Sequence, residues 1–158
     1  GPYLCQRGSA LVYLVLFEDC RAQFESHRTV NPNDVENAAW HFLCFARLQS
    51  PEEARKALLP VGHDRREPMM TIYKVFRGEN RPEELLPIIS SGALARFYAH
   101  LYLGLYYEAH GREIEAYQHI SVAAGDDYGI GGYMHGVAKL HLAWLQRKQE
   151  QPPNPPLF

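Results

Sequence analysis

The sequence predicts an all-α protein of about eight or nine helices packed as hairpins, and three observations carry that expectation. Apolar residues recur at spacings of three and four along most of the chain. Proline, serine, asparagine and aspartate stand where helices would begin, and glycine or proline where they would end. The β-branched residues are scattered, and no Asn-Gly or Asp-Gly pair is present to turn a strand hairpin.

From Tyr3 onward, Leu4, Ala10, Leu11 and Leu14 outline a first helix, and Phe17, Cys20 and Phe24 share one stripe of a second, the two joined near Leu16. In "VNPND" (30–34), Pro32 cannot extend the preceding helix, and Asn33 or Asp34 serves as N-cap for the next. That third helix, 34–48, carries Trp40, Phe42, Leu43, Phe45 and Leu48. Ser50-Pro51-Glu52-Glu53 joins a hydroxyl cap, a proline at the first helical position and acids at the positive end of the dipole, and starts a short helix ending near Pro60. After a polar, basic connection at 63–68, "MMTIYKVFRG" brings Ile72, Tyr73 and Phe76 to a stop at Gly78. "RPEELLPII" repeats the proline-plus-acid start. A long helix over 92–110, another over 112–124 and a last over 133–149 complete the set. The tail "QPPNPPLF" is too rich in proline to be helical and reads as a solvated or surface-packed extension.

Residues 1–150 are therefore expected to form a single domain and 151–158 a tail; a chain of 158 residues buries enough surface to need no staple. Charged residues are 22% and the net charge is −2, which argues against a nucleic-acid partner because phosphate contacts need a basic stripe. The longest apolar run, "ALVYLVLF" at 10–17, is far short of the roughly 20 residues of a membrane span. Gly1-Pro2 looks like what remains after tag cleavage, so the lack of a visible targeting segment says nothing of compartment. Cys5, Cys20 and Cys44 are odd in number and lack C-x-x-C spacing, and are expected to be small buried hydrophobes rather than a disulfide framework or zinc site.

A tetratricopeptide hairpin repeats every 34 residues with W-x₂-L-G-x₂-Y, then A-x₃-F, then P. Residues 1–34 follow it with Leu4, Gly8, Leu11, Cys20, Phe24 and Pro32. A second copy runs through Leu103-Gly104, Tyr107, a turn at Gly111, Ala116 and Ile120. A glycine in mid-helix costs roughly 1 kcal/mol against alanine, so Gly104 is expected where two helices cross too closely for a side chain, against Ala116. Gly8 and Gly104 are not separated by a multiple of 34, so the middle of the chain holds helical pairs that have drifted from the repeat. The expected architecture is one of irregular tetratricopeptide-like hairpins stacked in a right-handed superhelix.

The order "RG.AL" (7–11), "NPND" (31–34), Trp40, "SPEEARKAL" (50–58), "YKVFRGE" (73–79), "PEELL" (82–86) and "FYAHLYLGLYYEAHGREIEAY" (97–117) resembles the irregular repeat region of the NlpI-type bacterial lipoproteins and related tetratricopeptide proteins. That resemblance implies a non-catalytic adaptor of the cell envelope that often dimerises and brings other proteins together. Val15 stands where a glycine is expected at the first hairpin turn.

Motifs that would carry chemistry are weak. Eight histidines include no HExxH or comparable pair: His41 and Cys44 are three apart, and His135 and His141 lie on different helix faces. "GDDYGIGGYMHG" (125–136) lacks the Lys-Ser/Thr and the strand of a phosphate loop and reads as a helix-to-helix turn. Asp126 and Asp127 read as solvated, and "GHDRRE" (62–67) as a solvated loop with Arg65 and Arg66 as its one basic feature. Of the many tyrosines in the last third, most are expected in the core and a minority at the surface. No metal or cofactor is expected, and no enzymatic activity.

The expected function is protein–protein interaction: a scaffold or adaptor holding a peptide segment or helix on its concave face. The inward positions would be Ser9, Val12 and Tyr13 in the first copy and Leu101, Leu105 and Glu108 in the second, with Arg47, His135 and Lys139 from the other helices. The alternative is a docking or regulatory region of a larger enzyme whose catalytic domain lies elsewhere.

Overall fold

The computed structural model describes residues 17–27, 30–125 and 132–150, and everything below concerns these. The described residues are all-helical. Residues 17–27 form α1, followed by α2 (Val35–Leu48), α3 (Pro51–Lys56), α4 (Met69–Arg77), a 3₁₀ turn (Pro82–Leu85), α5 (Leu86–Ile89), α6 (Ala93–Ala109), α7 (Glu113–Gly125) and α8 (Tyr133–Glu150). The expected first helix, with Leu4, Gly8 and Val15, lies outside the described residues, as do Asp126, Asp127, Tyr128 and the tail.

Local chemistry sets most boundaries. Asp34 is the cap of α2, its carboxylate accepting from the Glu36 and Asn37 N–H groups. Ser50 accepts from Glu53 N at the start of α3, with Pro51 in the first turn. Gly78 ends α4 with φ +81°, a conformation that only glycine adopts cheaply, and there the N–H groups of Gly78 and Glu79 reach the Val75 and Lys74 carbonyls. Gly111 does the same between α6 and α7 at φ +74°.

Two elements differ from expectation. α3 stops at Lys56 rather than near Pro60, and Leu58 and Leu59 follow as half-buried, non-helical chain; the Leu59 carbonyl accepts from the Tyr73 hydroxyl at 3.0 Å instead of a helical N–H. "PEELLPII" splits into a 3₁₀ turn and a single α-turn. Pro87 has no N–H for the Glu83 carbonyl four residues back and its ring crowds that position, so one continuous helix is blocked.

α6 is the central helix. Phe97, Leu101, Tyr102, Leu103 and Leu105 are fully buried, and apolar residues surround the helix because α2, α4, α5 and α7 cover its sides. Phe42 of α2 meets Phe76 of α4 edge-on at 5.1 Å. α7 packs along α6 through Ala116 and Ile120, and α8 covers α7 with Ala138 and Leu145. Tyr98, Tyr102 and Tyr107 are buried, Tyr106 and Tyr117 are half-buried against the core, and Tyr133 is exposed.

The cysteine expectation is corrected: Cys20 and Cys44 form a disulfide, with Cα atoms 6.2 Å apart, joining α1 to α2. Spacing in sequence hid the pair because two helices and a turn separate residues that lie on facing stripes. His41, buried beside it, contacts the Glu25 carboxylate at 3.0 Å, and the Asn37 side-chain amide donates to the Phe24 carbonyl at 2.8 Å.

Candidate functional site

The start of α2 is unusual in burying its polar first turn. Acids there normally sit in water against the helix dipole, yet Glu36 and Asn37 are both buried. The reason lies 30 residues downstream. Asp64 accepts from Val35 N at 3.1 Å, and Arg66 spans Asp64 (2.7 Å), Asp34 (3.0 Å) and Glu36. Its guanidinium also lies 5.9 Å from the centre of the Tyr98 ring. The expectation of a solvated 62–67 loop is thus corrected for Asp64 and Arg66: they clamp the loop onto α2.

Electrostatics follow this geometry. Burial raises the Glu36 carboxyl above the ordinary range, even though the Tyr102 hydroxyl donates to it and Arg66 pairs with it. Burial works the same way on Asp64, but hydrogen bonds from Arg66 and from the Val35 and Arg66 N–H groups outweigh it and hold Asp64 low. Tyr102, wholly enclosed and facing the Glu36 carboxylate, has its hydroxyl raised far beyond the usual value. A carboxyl raised by burial at the edge of a cleft is a feature shared by catalytic acids. Here both Glu36 oxygens are already held, one by Arg66 and one by Tyr102, which is an anchoring arrangement.

Beside this cluster opens a cleft of about 540 Å³ between α1, α2 and the first turns of α8. Gln23, Phe24 and His27 line it from α1, and Tyr133, Met134 and Val137 from α8. Asp34, the α2 cap, lines its floor with Glu36, Asn37 and Trp40 of α2. The volume lies in the range of small-ligand sites, and the mixture of apolar walls with a few polar groups is also typical of them. One polar atom is left over. Asn37 Nδ2 is used by the Phe24 carbonyl, but Asn37 Oδ1 is buried with no hydrogen-bond partner among the described residues.

The nine residues expected at a partner face fare differently. Ser9, Val12 and Tyr13 lie outside the described residues. Leu101 and Leu105 are 0% exposed, because α6 is covered on the sides where an open concave face was expected; they belong to the core and present nothing to a partner in this fold. Arg47 and Glu108 are brought together, but with each other, at 2.6 Å, and His141 completes the group against the second Glu108 oxygen at 2.5 Å. His135 is buried, its Nε2 3.2 Å from the Ala124 carbonyl. Lys139 is exposed on α8.

Sequence reading missed Glu36, Asn37, Asp64 and the contribution of α8 to the cleft. No one-dimensional spacing relates positions 34–37 to 64–66. The one available signal was Tyr133, Val137 and Leu140, apolar at spacings of four and three on a helix whose other face also carries Ala138, Leu142 and Leu145. Tyr133 is 85% and Leu140 74% exposed, so this stripe faces outward.

Among the described residues no group of three or more His, Cys, Asp or Glu could hold a metal ion, and no helix is long and apolar enough to cross a membrane. Comparison with protein-family models, with curated proteins and with solved structures finds no match to this chain.

Proposed function

We propose that this chain is a non-catalytic interaction module, an adaptor that holds a peptide segment or helix of a partner protein. The partner lies along the cleft between α1, α2 and α8, in place of the Leu101–Leu105 face. The observation that carries this reading is α8. A helix whose one face is in the core and whose other face exposes Tyr133 and Leu140, with Val137 between them lining a cleft, has apolar surface on both sides. A surface helix ordinarily presents a polar outer face, and exposed apolar rows at this spacing are how a groove receives an amphipathic segment. Resemblance to the irregular tetratricopeptide repeats, NlpI-type lipoproteins among them, supports the adaptor role and the stacking of hairpins. The Cys20–Cys44 disulfide supports an envelope or other oxidising location, because such bonds persist poorly where thiols are kept reduced.

The test is capture of partner proteins from a lysate of the source by wild-type chain, by a Tyr133→Ala/Leu140→Ala variant, and by Lys56→Ala as a distant surface control. A protein retained by the wild type and the control but lost from the double variant is the expected result. Equal capture by all three would remove the α8 face from the interaction.

A further inference from the structure

We infer that the cleft between α1, α2 and α8 is built to receive an organic cation, the guanidinium or ammonium of a basic side chain carried by the partner protein. The inference rests on the reading of this cleft as a partner site and adds the chemistry of what enters it. Three features of the cleft converge on a positively charged donor.

The first is charge. Asp34, Glu36 and Asp64 share a single guanidinium, that of Arg66. Of these four only Asp34 and Glu36 line the cleft. The N-terminus of α2 contributes roughly half a positive charge, and that of α8 a similar amount. The sum does not neutralise three carboxylates. His27, 3.4 Å from Asp34 and about half exposed, also lines the cleft.

A second feature is the orphan acceptor. Asn37 is 5% exposed, and its Oδ1 has surrendered water without gaining a donor. A buried acceptor left without a donor is costly, and an entering N–H would recover that cost. An anion or a carbonyl brings no such donor. The third is the wall: Phe24, Trp40 and Tyr133 provide aromatic surface, which attracts cations through the ring quadrupole and packs the methylenes of a long basic side chain. Asp34 and Asn37 both line the cleft, and a guanidinium, with its fork of five donors, can address a carboxylate and an amide oxygen together, which a spherical inorganic cation does not do.

The probes are N-acetyl-arginine methylamide and N-acetyl-citrulline methylamide, which have nearly the same shape and differ in charge. Binding is followed by NMR through the Asn37 side-chain amide and the Trp40 indole N–H, using the full chain. The arginine probe is expected to saturate with a dissociation constant at least about tenfold lower than that of citrulline, equivalent to about 1.4 kcal/mol. Asp34→Asn keeps a good helix cap while removing a charge from the Arg66 cluster, so it is expected to close most of that gap in a chain that stays folded, as checked by wild-type-like dispersion of the amide signals away from the cleft. Equal affinity for the two probes, no saturable response to the arginine probe at millimolar concentration, or an undiminished preference in Asp34→Asn would each overturn the inference. The adaptor reading stands or falls separately, on whether Tyr133→Ala/Leu140→Ala loses captured protein.

Discussion

At Gly104 the backbones of α6 and α7 approach so closely that an added Cβ would lie 2.5 Å from Ile120 Cδ1 and 3.3 Å from the Ala116 carbonyl oxygen. The close crossing expected from the mid-helix glycine is there. Its first contact is the Ile120 side chain, one turn beyond Ala116, which takes part through its backbone. Ile120 and Ala116 are both fully enclosed and have nowhere to move. Alanine gains about 1 kcal/mol in helix propensity but overpacks the crossing at a cost of about 1–3 kcal/mol. Gly104→Ala is therefore expected to be neutral to destabilising, and Gly104→Leu clearly destabilising. For a chain of this length each lost kcal/mol lowers the melting temperature by about 2–4 °C. A Gly104→Leu variant that melts no lower than wild type would refute the crossing.

Among the elements, α1 depends most on specific links. It is joined to α2 by the Cys20–Cys44 disulfide, by the Asn37 amide on the Phe24 carbonyl, and by His41 with Glu25. Its own surface ion pairs, Arg21 with Glu18 and Glu25, are exposed and contribute little. The disulfide spans 24 positions in sequence, for which loop-closure entropy gives about 3–4 kcal/mol. Reduction, or a Cys20→Ser/Cys44→Ser variant, is expected to lower the denaturation midpoint and to raise amide exchange first in 17–27, while exchange in α6 stays slow. Denatured but unreduced protein should titrate one free thiol, since Cys5 is the third cysteine. Three free thiols would contradict the bond.

Across the whole molecule, the group that ties distant helices together is Glu108 of α6, 3% exposed, with Arg47 of α2 and His141 of α8. Burial works to raise its carboxyl, but the His141 hydrogen bond and the charges of His141 and Arg47 prevail and hold it low. A carboxyl lowered by folding lends stability that is present above its unfolded value, about 4.3, and lost as pH falls through the folded one. Glu36 has the opposite sign: its raised carboxyl favours the folded state most below the ordinary range, and that share declines as pH rises through its folded value. Breaking the Glu108 pair with Arg47→Met is expected to cost about 3 kcal/mol at neutral pH. Urea denaturation from pH 7 to pH 3 should show the difference from wild type shrinking toward the acid end as Glu108 takes up its proton. A difference that stays constant over that range would mean the loss is packing and not charge.

Helix class, most boundaries and the glycine at the crossing were legible in the sequence because they are set by neighbours within four residues: Ser50 beside Pro51, Asp34 before the α2 run, Gly78 and Gly111 at positions needing positive φ. Periodicity also showed that 92–110 would be a long helix. It could not show which sides stay open, since that depends on which helices cover it, and so Leu101 and Leu105 were expected at a partner face that α6 does not have. Arg47 and Glu108 illustrate the same limit: each looked like a surface contact until the fold set them 2.6 Å apart. The Cys20–Cys44 disulfide, the pairs of Arg66 with Asp34 and Glu36, and the cleft that sets Tyr133 against Asn37 and Trp40 join residues from about 20 to almost 100 positions apart. Local sequence determined the helices because hydrogen bonds and caps act within a turn, whereas only the packing of α1, α2 and α8 decided the site, because long-range contacts depend on crossings that no single segment encodes.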